Sequence, residues 1–375
     1  MPSPNLDTLI NSTIPQYIRQ EANNVLRNRL VLAMMEQRNR ITYGNGGTEY
    51  DWKVRFKRNR MNPYAVDSTL TFARVNKFKT AKLPNDRAYT ITEQIGTIDR
   101  LQNRGEEAII KLFDDVLKTI ANDMREDFGD VVYVDGNATG NETQFHGIES
   151  FLGTAATPIA LGGGFVQPND VYATLNTLPG TYGGAYTNGT WPNGSTDDTQ
   201  YDFWSPILVD TASQVPGAYP GITDLTFKNT CNQALRKLIT KTRKSKSVRG
   251  KLDVIMLEEN MMTDFLNAQD DRTGLRIQAQ ESLAMLNLGF DVVNFDGVTI
   301  GTEYGMPFNT GYGWNFEEVE MKLMTDELFQ QFDGQLVRSD VDTLSYKIAL
   351  LTVGNFVFNP KFFGKLYNWG LALPS

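Results

Sequence analysis

One cysteine and one histidine in 375 residues narrow the chemistry open to this chain. Cys231 excludes an intrachain disulfide and fits synthesis in a reducing compartment. With His146 as the sole imidazole, a zinc site would rest almost wholly on carboxylates, and a Ser-His-Asp triad would have a single base to use. No nucleophile elbow, Walker loop or dinucleotide fingerprint occurs. The glycine clusters Leu161–Phe165 and Gly180–Gly184 match none of those spacings. Long apolar runs are lacking too: Leu30–Met35 and Ile348–Leu351 fall far short of a bilayer span, so no membrane association is expected. Met1–Asp7 has neither the basic start nor the apolar centre of a signal peptide, and the Asn-x-Ser/Thr sequons are therefore expected to carry no glycan.

The titratable groups that remain read as structural. Carboxylate neighbours at Asp114/Asp115, Glu258/Glu259, Asp270/Asp271, Glu317/Glu318 and Asp326/Glu327 fit solvated faces and helix N-termini. Adjacency in sequence does not supply the cleft geometry that a glycosidase needs. Asn267–Gly274 lacks the alternating ligands of a calcium loop. His146 is expected to serve local packing or a backbone hydrogen bond. No catalytic residue, metal or cofactor is expected. Arg236–Lys251 holds eight Lys or Arg and no acid, which taken alone could grip phosphates. It has no interleaved aromatic and belongs to an acidic chain, so a solvated or subunit-facing loop is the reading.

Charge is unevenly spread. Residues 1–82 hold 14 Lys or Arg against 6 Asp or Glu, a net +8; with −8 overall, the other 293 residues carry −16. A basic arm on an acidic body favours head-to-tail self-association.

Periodicity gives the elements. Thr13 to Gln16 matches a capping box, opening a helix over Ile14–Gln37 that Gly44–Gly47 ends. Trp52, Val54 and Phe56 alternate with Lys53, Arg55 and Lys57, a half-buried strand with a basic outer face. A second strand is expected around Leu70 and Phe72, then an extended stretch Tyr89–Ile95; such a hairpin must rest on something else. The longest helix reads over Asp99–Gly129, with Ile109, Leu112, Val116, Ile120, Met124 and Phe128 on one stripe and Gly129 as C-cap. Val131–Val134 reads as a short strand and Gly153–Gly221 as loop. Helices are expected around Phe227–Leu238, Glu259–Asn267 and Leu275–Leu288, and a buried strand at Leu252–Leu257. Phe290–Ile300 forms a hairpin about Asp296-Gly297. Tyr346–Phe358 reads as a central strand that Asn359-Pro360 stops, before Lys361–Trp369 returns several rings to the body.

This order resembles the tailed-bacteriophage major capsid proteins of the Hong Kong 97 type. The pieces that carry it are the long helix with its exit into Val131–Val134, the Phe145–Gly153 stretch (FHGIESFLG), and the closing strand with its Asn-Pro exit. The resemblance implies an α+β fold divided into an N-terminal arm (1–40), an extended β-hairpin loop (41–96), a peripheral domain with the spine helix (97–152 and 345–375), a loop-rich insertion (153–226) and an axial domain (227–344). In that family the extended loop lies over a neighbouring subunit. The contact residues are then expected to be Lys53, Arg55, Lys57, Arg58, Arg60, Arg74, Lys77 and Lys79. Two departures stand out: only about a dozen residues precede the arm helix, where the family often has a scaffolding extension, and 153–221 is long.

The implied function is structural, not enzymatic. The chain is expected to assemble with itself as hexamers and pentamers into an icosahedral head around phage double-stranded DNA, without sequence-specific contact to it. Implied partners are a portal protein and scaffolding, cement or decoration proteins; the implied location is the virion, assembled in the host cytoplasm. Two other readings share part of the pattern: an encapsulin-type compartment of the same fold, and a carbohydrate-binding or carbohydrate-active protein using Tyr182, Tyr186, Trp191, Tyr201 and Trp204.

Overall fold

The computed structural model describes residues 29–56, 76–96, 126–154, 163–180, 203–243, 251–273, 292–331 and 345–369, with the pieces 160–161 and 337–340 and positions 66, 69, 72, 116, 119, 120, 123 and 124. The chain divides into two compact units. The first comprises Met1–Thr48, Pro84–Ile148 and Val319–Val357; the second comprises Glu49–Leu83, Glu149–Glu318 and Phe358–Ser375.

The first unit is built on the strand Ser345–Phe358, as the apolar, β-branched run there predicts. Ile348, Leu350, Thr352 and Phe356 are buried, and Leu351 and Val353 half-buried. Ala88–Gly96 pairs antiparallel along it, from Ser345 opposite Gly96 to Val353 opposite Ala88. Gln330–Gln331, Val337–Asp340 and Val319–Leu323 complete the central part, and Ile41–Thr42 joins parallel to Met321–Lys322 as the edge of a six-stranded sheet.

The arm helix is described over Leu30–Gln37, where Leu30 to Met35 are all buried; its expected earlier part lies outside the described residues. It ends at Gln37, as the spacing predicts, and the left-handed turn that follows falls at Asn39, not at Gly44–Gly47. Asn39 takes φ 53° while the Arg40 amide donates back to Met35. Asn tolerates this left-handed cap at little cost, which lets the chain turn five residues sooner.

Of the long helix, 126–131 and positions 116, 119, 120, 123 and 124 are described, all helical; the rest of 99–125 lies outside the described residues. Ile120, Met124 and Phe128 are buried while Thr119, Asp123, Glu126 and Asp127 are exposed, the two faces that the spacing predicts. Two expectations fail here. Gly129 is helical and not a cap, because Arg29 crosses that turn and donates to the Glu126 carbonyl at 2.8 Å. Val131–Val134 is not a strand: Val131 closes the helix, and the Tyr133 and Val134 amides bond to Asp130 and Val131 in a tight turn. Burial of Val131, Val132 and Tyr133 in that turn outweighs their β preference.

The second unit holds an eight-stranded sheet. Its order is Val292–Phe295, Val298–Thr302, Val254–Leu257, Thr310–Trp314, Gly364–Tyr367, Ile207–Asp210, Phe165–Val166 and Ala160–Leu161. Val254–Leu257 is buried throughout and runs into the helix Glu259–Thr273, as its sequence indicates. Asp296 and Gly297 take φ 49° and 77°, the two positive values of a type I′ hairpin turn. The helix Phe227–Thr242 lays Cys231, Leu235 and Leu238 into a core with Ile255, Phe265 and Ile300. The helix expected over Leu275–Leu288 lies outside the described residues. Gly153–Gly221 is not all loop, since Ile207–Asp210 is a buried strand parallel to Gly364–Tyr367. The returning C-terminal rings do pack inward: Phe363 meets Phe151, Trp314 and Phe358 at centroid distances of 5.7, 6.0 and 5.4 Å.

Candidate assembly surface

Glu49–Arg55 and Phe78–Pro84 form a separate two-stranded ribbon. The Phe56 amide donates to the Lys77 carbonyl at 3.0 Å, and at the other end Lys82 meets Glu49 at 2.8 Å, so the strands run antiparallel. Alternation divides it into two faces. Tyr50, Val54, Phe56, Ala81 and Leu83 are buried with Trp52 half-buried, while Glu49, Asp51, Lys53, Arg55, Phe78, Thr80 and Lys82 are exposed.

The base of this ribbon is supported by its own chain. Trp52 lies 6.4 Å from Trp204 and Phe56 5.8 Å from Phe203, ring centre to ring centre, and the Lys82 amide donates to the Ala173 carbonyl at 3.0 Å. This is the support that the hairpin is expected to need, and Phe203, Trp204 and Ala173 supply it from the stretch read as loop. Trp204 is also 1% exposed, which removes it from the aromatics a sugar could stack on. Tyr182, Tyr186, Trp191 and Tyr201 lie outside the described residues.

The eight expected contact residues separate accordingly. Lys53 and Arg55 share the exposed face. Lys77 and Lys79 are half-buried on the face that carries Phe56, and the Lys79 ammonium stands 5.6 Å from the centre of that ring, a cation–π contact. Lys57, Arg58, Arg60 and Arg74 lie outside the described residues. Phe78 is an exposed aromatic of the ribbon that the sequence reading missed, and Phe72, outside the ribbon's strands, is 90% exposed. Phe78 is 51% exposed on the face of Lys53 and Arg55, and strand parity alone would have placed it there had the pairing register been known.

The other candidate groups are absorbed by the fold. His146 is 3% exposed, the local packing that is one of its two expected roles, and its backbone amide donates to the Asn355 side chain at 2.7 Å. Burial, with the nearby Arg87 charge, lowers its pKa to about 3. Arg87 itself donates from one nitrogen to the carbonyls of Gly136, Asn141 and Gln144, fixing the turn that follows the long helix. Glu258 caps the helix after it, accepting from the Met261 amide at 3.4 Å. Glu149 pairs with Lys365 at 2.7 Å and accepts from the Tyr312 hydroxyl, a half-buried structural network. Among the described residues no group of three or more His, Cys, Asp or Glu could hold a metal ion, and no helix is long and apolar enough to cross a membrane.

The sequence matches no protein-family model and no curated protein. Its structure is similar to solved capsids. A chain of the cyanophage A-1(L) capsid asymmetric unit matches with a TM-score of 0.56 and 13% identity, covering 88% of this chain and 90% of the other. A chain of the bacteriophage PhiM1 mature capsid gives 0.49 and 10%, covering 89% and 87%. One from the capsid of a native GTA particle gives 0.49 and 9%, covering 88% and 89%. The cyanophage match spans nearly the whole of both chains, and with the mixed sheets and ribbon above it shows that this chain has a tailed-phage capsid fold of the Hong Kong 97 type.

Proposed function

We propose that the chain is a major capsid protein, assembling as hexamers and pentamers into the icosahedral head that encloses phage double-stranded DNA. The observation that carries this is the end-to-end likeness to a capsid chain, 88% of one on 90% of the other. Charge supports it: the arm is basic, the body acidic, and many weak copies of one contact become strong in a closed shell. In this reading the first unit holds the peripheral domain, the second the axial domain and the ribbon at the base of the extended loop, with 319–344 assigned to the peripheral and 358–375 to the axial domain instead of the reverse expected from the sequence. The protein acts by assembly and not by catalysis, in the virion after assembly in the host cytoplasm. A portal protein and scaffolding or decoration proteins are its further partners.

Electron microscopy of the purified chain tests the reading. Closed shells or capsomers are the expected result; a stable monomer at high concentration overturns it. Nuclease-protected double-stranded DNA inside native particles separates a phage head from an encapsulin compartment, which would hold protein cargo instead.

A further inference from the structure

The Gly44–Gly47 stretch (GNGG) does not end the arm helix, so its glycines serve some other purpose. Two are conformational: Gly44 takes φ 69° and Gly47 φ 122°, values that favour glycine. Gly46 takes no such value, and a Cβ added there would meet nothing within 4 Å. Its backbone N–H is exposed and has no hydrogen-bond partner among the described residues. The described fold therefore gives no conformational reason for glycine at 46. There is a chemical one. With no Cβ in the way, the nitrogen of a glycine that follows asparagine can approach the carbonyl carbon of that asparagine's side chain.

Asn45 straps this loop to the sheet of the first unit. Its Nδ2 reaches the Thr42 carbonyl at 3.1 Å, the Thr42 hydroxyl at 2.9 Å and the Leu323 carbonyl at 3.4 Å. Its backbone amide donates to the Leu323 carbonyl at 2.9 Å. These bonds reinforce a short parallel pairing, in which only Ile41 and Thr42 lie against Met321 and Lys322. Among the described residues the Asn45 Oδ1 accepts no hydrogen bond, so every bond of this side chain runs through Nδ2.

We propose that Asn45 and Gly46 form a self-modification site whose reaction releases the edge strand Ile41–Thr42. The Gly46 amide gives its proton to solvent, its nitrogen bonds to the Asn45 side-chain carbonyl carbon, and Nδ2 takes up a proton and leaves as ammonia. Water then opens the cyclic imide to aspartate or isoaspartate. The strap departs with the ammonia. A carboxylate in its place confronts the Thr42 and Leu323 carbonyls, acceptors that offer it no proton. The Thr42 hydroxyl is already committed to Glu320 at 3.2 Å or to the Met321 carbonyl at 3.4 Å. Lys322 lies 3.7 Å from Glu320, and Asp326 adds negative charge beside Gly44. The reaction consumes only water and runs one way, so it loosens this edge with time. It stands independently of the capsid reading.

Incubation of the purified chain in mildly alkaline buffer, followed by peptide mass spectrometry, tests it. A mixture of aspartate and isoaspartate at position 45 is expected, forming several-fold more slowly in Gly46→Ala, which the open space around Gly46 accommodates. Intact asparagine at 45 overturns the proposal, whatever happens at the other two Asn-Gly pairs, Asn188-Gly189 and Asn193-Gly194. An equal rate in Gly46→Ala, or aspartate without isoaspartate, also overturns it, since either means direct hydrolysis without attack by Gly46. Hydrogen exchange of Asn45→Asp reads the release separately. Protection is expected to fall several-fold at the amides of positions 45 and 321, which bond to the Leu323 and Arg40 carbonyls. Unchanged protection at both overturns the release.

Discussion

The Arg29 guanidinium lies across the helical turn at Gly129, where an added Cβ would fall 2.0 Å from its Nε and 2.3 Å from its Cζ. In an open helix Gly→Ala stabilises by about 1 kcal/mol. Here the sign reverses, because the side chain cannot move without giving up its bonds to the Glu126 carbonyl and to Asp130. Gly129→Ala is therefore expected to destabilise by about 1–3 kcal/mol, the usual range for overpacking. Urea unfolding of Gly129→Ala, Arg29→Ala and the double variant measures it. A double variant no worse than Arg29→Ala alone is the expected outcome.

Arg87 places one buried nitrogen among three carbonyls of a turn that has no regular secondary structure to satisfy them. Arg87→Ala leaves those acceptors without their charged donor, a loss of roughly 3 kcal/mol or more. Lysine keeps the charge but not the planar fork, so Arg87→Lys is expected to recover only part of the loss. Hydrogen exchange should show the change first in residues 135–144, ahead of the strand Ser345–Phe358. Uniform loss of protection across both would disprove a local role.

The low pKa of His146 makes stability depend on acidity in a defined window. Its folded value, about 3, lies below the ordinary 6.5, so the folded state favours the neutral ring. The contribution is complete above about 6.5 and is lost as pH falls from there towards 3, at up to about 1.4 kcal/mol per pH unit. His146→Gln removes the titration while keeping an amide-bearing side chain of similar reach. Denaturation curves between pH 7 and roughly 4 should then fall less steeply for the variant than for the wild type. Parallel curves would mean that the ring is not held neutral.

Parts of this fold were legible because one local signal decided them. Val254–Leu257 and Ser345–Phe358 are apolar runs too short or too β-branched for helices, and Asp296-Gly297 has one favoured turn. Gly129 was ambiguous, since glycine marks both a helix cap and a close approach, and only the position of Arg29 separates the two. Ile207–Asp210 was hidden by its length: three apolar residues among turn formers carry no period, and the strand exists because Gly364–Tyr367 pairs with it from 157 residues away. The outward face of the ribbon was read correctly for Lys53 and Arg55, where alternation is unbroken. Across the connection to the second strand the phase is lost, and Lys77 and Lys79 fall on the inner face while Phe78 turns out.

The contact between Trp52 and Trp204 gives the ribbon a support within its own chain, and that can be tested apart from assembly. Trp52 is half-buried and lies on the ribbon; Trp204 is fully buried and also stacks with Tyr172 at 6.2 Å. Removing Trp204 should lower global stability by about 3–5 kcal/mol, as large core truncations do. Removing Trp52 should instead loosen the ribbon while leaving most of the second unit's core intact. Trypsin cutting after Lys53 or Arg55 reports on this in dilute, unassembled protein. Trp52→Ala is expected to speed that cleavage several-fold with little change in melting temperature. Equal cleavage rates in the variant and the wild type would mean that the ring contact does not hold the ribbon, and that its order comes only from neighbours in the shell.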